Sequence, residues 1–523
     1  MADTASSPPP VAVKTTDAHL IEIDPSSHNT AGVSSIDDVI ERYMSAGDGS
    51  LTLLLFPFLA TLTWMFDGQQ TFINVFSDFQ PPWHCTSPSC NFTTSLSAVC
   101  NLPSSSWSFS HNRRISTISD FSLECASPVL LALPSSSFYA GCLVGGLLLA
   151  TISDSRYGRK QILVLSTLTM SITAVLTAFS PNLAIYAALR FACGFARSNV
   201  GLSAFVLSSE LVPRRHRELV SIFCFSFFTI GFLTLPLISF LNRASSWRLL
   251  YLYTAIPAFI YSFFLHFSMV ESPRWLLVKG RRQEAIEILK KLSLLNKTES
   301  FADLAVTTSE KTESGGLYSA AKILWEKDWA LRRLGKVMIV SFSVGMMYYG
   351  MPLSLGNLKA NLYLSVAMNA VAELVSTSII FFVVKMVSRR RSMIGLTVVT
   401  GVACLACAGM WGGSLSEMLL ELAAFFGTCT AFNILLIYAI EMFPTSVRSS
   451  AIALVRQAAV VGGVVAPAVV MAGRRRRFLS FAVFGIVVIC GGLFVFWLPE
   501  TRGRGISDTM EEEEQKMEKK LPT

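Results

Sequence analysis

Five ionisable side chains stand inside long apolar stretches of this chain: Asp67, Arg190, Arg197, Glu373 and Arg456. A charge at bilayer depth costs about 2.5–3.5 kcal/mol on insertion scales, so such residues are expected to face a polar cavity or a partner. Arg197 follows Arg190 by two helical turns and falls on the same face. Glu373 and Arg456 have no charged neighbour within their own stretches. They are therefore expected to pair with each other or to contact a charged ligand. Asp67 suits either proton uptake or attraction of a cation; a helix-end carboxylate at the outer interface is the alternative. Asn199, Tyr348, Tyr349, Asn369, Asn433, Tyr438 and Gln457 lie near the middles of apolar stretches and are candidate ligand contacts, although each could simply pack. Aromatic faces attract quaternary ammonium groups, with about 2 kcal/mol gained on desolvation. Gly145, Gly146, Gly194, Gly462, Gly463 and Pro467 read as sites of close helix approach or bending.

The elements that must position these residues are spans. The 523 residues are 52% hydrophobic and only 15% charged, and the mean hydropathy is +0.51, an apolar excess that needs lipid to cover it. Runs of about 20 residues, enough to cross ~30 Å of hydrocarbon, recur in two sets. The first lies near 51–73, 131–152, 161–180, 184–208, 219–241 and 249–270. The second lies near 336–356, 359–386, 393–412, 416–440, 450–472 and 478–498. This predicts an all-α membrane protein of twelve helices in two six-helix halves, 50–270 and 336–498. A polar tail (1–49), a central charged loop (271–335) with helix-like content from Gln283 to Leu295, and a solvated charged tail (499–523) complete the chain.

The net charge of +8 comes from short basic clusters between apolar runs, which mark cytoplasmic loops rather than a nucleic-acid surface. With both termini inside, Arg159, Lys160, Arg214, Arg215, Lys385 and Arg389 to Arg391 fall on the inner side; the run Arg474 to Arg477 breaks the pattern. The 77–130 segment then lies outside. It carries Cys85, Cys90, Cys100 and Cys125 and a sequon at Asn91, which fits an oxidising compartment, two disulfides of three possible connectivities, and glycosylation.

Internal repetition sharpens the reading. Glu210, Pro213 and Arg217 after the fourth run recur as Glu441, Pro444 and Arg448 after the tenth, 231 residues on. Glu271-Ser272-Pro273-Arg274-Trp275 and Pro499-Glu500-Thr501-Arg502-Gly503 end the two halves, with glutamates 229 apart. Two motif pairs agreeing on one offset imply duplicated halves, the parallel-repeat arrangement of major facilitator transporters. Acidic and basic groups at such helix ends are expected to pair across the halves in one conformation and part in the other.

The segment Asp154-Ser155-Arg156-Tyr157-Gly158-Arg159-Lys160 resembles the facilitator signature between the second and third spans, and Arg190 to Gly194 resembles its fourth-span motif. Within the superfamily, residues 50 to 504 resemble the organic cation/carnitine transporter family, in its plant-type branch. The likeness rests on the long cysteine-bearing loop, Phe66-Asp67-Gly68-Gln69-Gln70-Thr71-Phe72, Tyr348-Tyr349-Gly350, and Ala431-Phe432-Asn433 with Ile437-Tyr438. The chain departs from the pattern in the spacing from Asp154 to Gly158, at Val270 where a proline is usual, and at Val460, where animal relatives place a charge.

The resemblance implies an alternating-access carrier of small organic cations or zwitterions such as carnitine, with proton coupling open and the lipid bilayer as its setting. Asp154, Arg159, Arg190, Glu210, Arg217, Glu271, Arg274, Glu441, Arg448, Glu500 and Arg502 then bias the two states. A sugar or polyol proton symporter and a non-transporting sensor on the same fold are the rival readings. No phosphate-binding loop, catalytic set or metal spacing is found in the sequence, so neither an enzyme nor a cofactor is expected. A monomer suffices, in a plasma or vacuolar membrane.

Overall fold

The computed structural model describes residues 41, 51–86, 100, 102–103, 105–110, 112–152, 157–293, 317–358, 360–383, 386–410, 414–474, 478–503 and 507–518. Asp154, Cys90, Asn91 and Arg475 to Arg477 lie outside them.

Hydrocarbon offers backbone amides no partner, so the apolar runs close their hydrogen bonds within helices. Among the described residues, ten helices are long and apolar enough to cross a membrane. In the first half these are α5 (Pro128–Ile152), α6 (Arg159–Thr177), α9 (Arg217–Leu241) and α10 (Trp247–Ser268). The first run is built from α1 (Leu51–Thr61), α2 (Thr63–Phe72) and α3 (Asn74–Ser77), and the fourth from α7 (Leu183–Arg197) and α8 (Val200–Glu210). A short α4 (Thr117–Asp120) lies in the outer loop; α11 (Pro273–Val278), α12 (Arg282–Ser293) and α13 (Leu317–Glu326) form the central segment. The second half comprises α14 (Asp328–Ser354), α15 (Leu362–Val383), α16 (Arg389–Gly409), α17 (Ser414–Met442), α18 (Arg448–Gly473) and α19 (Phe478–Leu493), and α20 (Met510–Glu518) follows. Close crossings depend on small residues: a Cβ on Gly194 of α7 would run into the Phe138 carbonyl of α5, and one on Gly141 into the Phe191 carbonyl.

The duplication is visible in hydrogen bonds. Glu271 accepts from the amides of Lys160 and Ser272, both at 3.0 Å, and so ties the end of the first half to the start of α6. Glu500 accepts from the amides of Arg389 (3.1 Å) and Arg390 (3.3 Å) at the start of α16 and from the Ser388 hydroxyl. Lys160 and Arg389 stand 229 residues apart, as their glutamates do. Each carboxylate meets the unsatisfied amides and positive pole of a helix N-terminus.

Acidic and basic groups at these helix ends are expected to pair across the halves in one conformation and part in the other; in this one, Arg389 and Arg448 bind within their own half. Arg389 clasps Glu441 of its own half, Nη2 to Oε1 at 2.9 Å and Nε to Oε2 at 3.2 Å, and Thr501 also donates to Glu441. Arg448 binds the Phe443 carbonyl and the Thr445 hydroxyl of its own loop. Side-chain contacts between the halves appear toward the outer ends: the Phe76 and Tyr363 rings stack at 5.7 Å, Phe240 packs edge-on against Tyr363, and Arg474 Nη2 donates to the Asp78 carbonyl at 2.6 Å. That last bond accounts for the arginine at the head of the anomalous outer cluster.

The outer segment is docked rather than loose. Strands β1 (Trp83–Cys85) and β2 (Trp107–Phe109) pair antiparallel. Cys100 is bonded to Cys125, with Cα atoms 5.6 Å apart, and Cys85 is also disulfide-bonded. Asp120 of α4 holds Arg248 at 3.0 Å and the Trp247 indole at 3.1 Å. The charged tail, expected to be solvated, folds back instead. Glu513 meets Arg333 at 3.0 Å, Glu514 takes Lys327 and the Trp329 indole, and Met510 is buried. Acidic side chains of α20 answer the basic start of α14, and one apolar contact seats it.

Burial opposes ionisation of Glu500, but the Ser388 hydroxyl and the amides of Arg502, Arg389 and Arg390 outweigh it and hold this carboxyl below the usual range. A depressed folded-state pKa contributes stability above the unfolded value and loses it as pH falls. Glu500→Gln is therefore expected to lower the melting temperature at pH 7, by the equivalent of about 1–2 kcal/mol. The deficit against wild type should shrink as the pH is taken below about 4.3, the unfolded glutamate value; thermal denaturation in detergent at both pH values checks this.

Candidate substrate cavity

Two of the five intramembrane charges find each other. Arg197, at the end of α7, points both Nε and Nη2 at the Asp67 carboxylate of α2, the second contact at 3.3 Å. The pair is largely buried, with side chains 13% and 5% exposed. Arg197 Nη1 also approaches Cys142 Sγ at 3.7 Å. The chain turns at Ser198 and Asn199 directly after Arg197, and buried Asn199 caps the next segment without a side-chain cap bond.

Arg190 behaves differently. It is fully buried, donates from Nη2 to the Gln70 carbonyl at 3.0 Å and to Asn74 Oδ1, and lies 4.1 Å over the Phe138 ring. Through Asn74 it joins a polar knot around Asp78, whose carboxylate accepts from Asn74 (2.6 Å), Ser77 (3.0 Å), Tyr186 (3.0 Å) and Thr117 (2.8 Å). Tyr186 in turn meets Tyr251 at 2.9 Å. Arg190 thus belongs to the knot around Asp78, whereas the other gating candidates that the structure describes sit at the opposite helix ends. Among these, Glu210 is half-buried with Oε2 unbonded, Arg217, Arg274 and Arg502 are exposed, and Arg159 is half-buried.

In the second half Tyr348 donates to Glu373 Oε1 at 2.6 Å, and Glu373 Oε2 has no hydrogen-bond partner. The expected Glu373–Arg456 ion pair is not among those of the described residues: the carboxylate is taken by the tyrosine instead. The Tyr348 ring lies near-parallel to Phe432 at 4.8 Å and meets Tyr349 edge-on at 5.1 Å; Tyr349 lies 4.8 Å from Tyr139 of the opposite half. A Cβ on Gly463 would strike both Tyr349 and Tyr139, so this glycine makes room for the aromatic contact between halves.

Arg456 is exposed although it lies two turns into α18. It sits within electrostatic reach of Tyr349 from its own half and of Asp67 and Arg197 from the other. The neighbouring Gln457 packs its amide against Gly146, with Oε1 unbonded.

Three sequence candidates fall elsewhere. Tyr438 is fully buried and donates to the Pro499 carbonyl, so it fastens the inner end of α17. Asn433 donates to Thr377 at 3.3 Å between helices. Asn369 is fully buried and donates to Glu421 Oε1 at 2.9 Å. Sequence reasoning missed Glu421, although an acid inside the 416–440 run was signal enough, and it missed Asp78, hidden by a loop boundary drawn at residue 77. No group of three or more metal-ligating side chains occurs among the described residues.

A bundle of duplicated halves with charged pairs buried between its helices has the build of a membrane transporter of the major facilitator fold. The sugar (and other) transporter family model matches residues 90–512. Arabidopsis thaliana organic cation/carnitine transporter 2 is 45% identical, covering 93% of this chain and 95% of the relative. Organic cation/carnitine transporter 3 of the same plant is 46% identical over 95% and 97%. The xylose transporter of E. coli in its inward open conformation superposes with a TM-score of 0.65 at 19% identity, covering 88% of this chain and 99% of its own. The chain belongs to the major facilitator superfamily and, within it, to the organic cation/carnitine transporter family.

Removing one member of a buried ion pair leaves an uncompensated charge, a loss of about 3–5 kcal/mol. Asp67→Asn should therefore cost more stability than the double variant Asp67→Asn/Arg197→Gln; melting temperatures of the three proteins in detergent check the order.

Proposed function

We propose that this transporter moves small organic cations and zwitterions such as carnitine by alternating access, the two halves rocking about the space between Asp67 and Glu373. One observation carries the reading. Glu373 keeps an unbonded carboxylate oxygen beside the Tyr348 and Phe432 rings, while Arg456 of the same half stands exposed within electrostatic reach of Tyr349, the neighbour of Tyr348. A quaternary ammonium is attracted by aromatic faces and by a carboxylate, and it needs no hydrogen-bond acceptor aimed at it. A zwitterion adds a carboxylate, for which Arg456 would supply the counter-charge. The relatives named organic cation/carnitine transporters support the same substrate class.

The basic clusters at Arg214, Arg215 and Arg389 to Arg391, and the disulfides on the opposite side, support cytoplasmic termini in a plasma or vacuolar membrane. The caps formed by Glu271 and Glu500 and the clasp of Glu441 make each half a rigid body for this motion.

Uptake of a labelled panel into proteoliposomes tests the reading. Glu373→Gln should lower uptake of both tetraethylammonium and carnitine by about 10–100-fold, the scale of a lost bond to a charged group. Arg456→Gln should lower carnitine uptake similarly while sparing tetraethylammonium. Equal loss of both substrates in Arg456→Gln would remove the carboxylate role, and preferential uptake of a hexose by wild type would overturn the substrate class.

A further inference from the structure

Glu421 lies two turns into α17, is 1% exposed, and has no part in the site described above. Its Oε1 accepts from Asn369 Nδ2 at 2.9 Å, and its Oε2 is unbonded. Asn369 belongs to a column on α15. Ser365, Asn369 and Glu373 follow one another at four-residue spacing, hence on one face and about 6 Å apart along the axis. All three are more than nine-tenths buried, and Ser365 Oγ, Asn369 Oδ1 and Glu373 Oε2 are each unbonded. The column begins within a turn of the outer end of α15 and finishes at the carboxylate that Tyr348 holds.

Four unbonded polar atoms on buried side chains in one file are unusual, because buried polar groups are normally paired. Among the described residues, no base forms an ion pair with them. The ionisable groups in electrostatic reach of Glu421 are Cys429 of its own helix and Cys404 and Cys407 of α16; Glu417 neighbours Cys407, Glu373 neighbours Cys429, and Tyr348 of α14 lies beyond; none is basic. Arg456 lies in the field of Asp67, Arg197 and Tyr349. Two carboxyl groups at bilayer depth without a countercharge need a cation to neutralise them, and the smallest is a proton.

We propose that Glu421, held by Asn369, is a proton-carrying site in the second half, and that its proton drives substrate movement through Glu373. The Asn369 amide occupies Oε1, so the proton is carried on Oε2. It is taken up as H+ from the outer side and released as H+ to the inner side, with no other bond made or broken. Ser365 and Asn369 provide the hydrogen-bonding steps from the outer end. This inference rests on the transport reading for its consequence, but not for the protonation itself.

Two measurements on the full chain in lipid test it. In infrared difference spectra taken on raising the pH, wild type should lose the carbonyl stretch of a protonated carboxyl, and Glu421→Gln should lack one component of that band. An unchanged band overturns the proposal, whether or not any substrate moves. In proteoliposomes an acid-outside gradient should drive carnitine accumulation by wild type. Glu421→Gln should lower that accumulation by about tenfold or more, the scale of one lost bond to a charged group, while exchange of labelled for unlabelled carnitine persists. Gradient-driven accumulation by Glu421→Gln at the wild-type level, or wild-type accumulation that follows sodium and ignores pH, overturns the coupling. Absence of any wild-type transport of the panel would instead sink the transport reading and leave the infrared result to decide the protonation.

Discussion

The hydrocarbon layer supplies no partner for a charge or a backbone amide, and every polar feature of this chain is arranged around that shortage. Helices settle the backbone. At helix ends, where four amides remain unsatisfied, the chain brings in a carboxylate: Glu271 at the start of α6 and Glu500 at the start of α16. Within the bundle, Asp67 and Arg197 settle each other, and Arg190 turns Nη2 to the Gln70 carbonyl and Asn74 and lays its guanidinium over the Phe138 ring.

The same constraint bears on how the halves meet. The Arg389–Glu441 clasp stays inside its own half. Among the described residues, the side-chain contacts between halves at the opposite ends are aromatic stacking, such as Phe76 on Tyr363, and bonds to backbone carbonyls, from Arg474 to Asp78 and from Ser136 to Val464. These can be broken without leaving a buried carboxylate bare. A cross-half carboxylate latch would hold one state more tightly, and its opening would expose an unpaired charge to a low dielectric.

Much of this arrangement was legible in the sequence. Apolar run length fixed ten helices outright, and the 229-residue offset of Glu271 and Glu500 reappears as the same cap made twice. The face shared by Arg190 and Arg197 was readable too, but their partners were not. Asp67 and Arg197 are 130 residues apart in sequence, and Tyr438 reaches Pro499 across 61. Helical periodicity tells which residues share a face and says nothing about what that face meets. The expected Glu373–Arg456 pair failed for this reason. Tyr348, 25 residues before Glu373, came closer because α14 and α15 present those two positions to each other.

The charges left over after pairing divide unequally between the halves. In the first half Asp67 and Arg197 cancel, and Arg190 is enclosed within the outer knot around Asp78. In the second half Glu373 and Glu421 face tyrosine and asparagine, and Arg456 is exposed to the interface. Val460, the position where a charge would be expected by family resemblance, is partly buried against the core. Arg456 precedes it by one turn, on roughly the same face of the helix. The proposed zwitterion site rests on that one-turn offset: a purely cationic solute would need Glu373 and its aromatic neighbours alone, whereas a carboxylate-bearing one would also need Arg456.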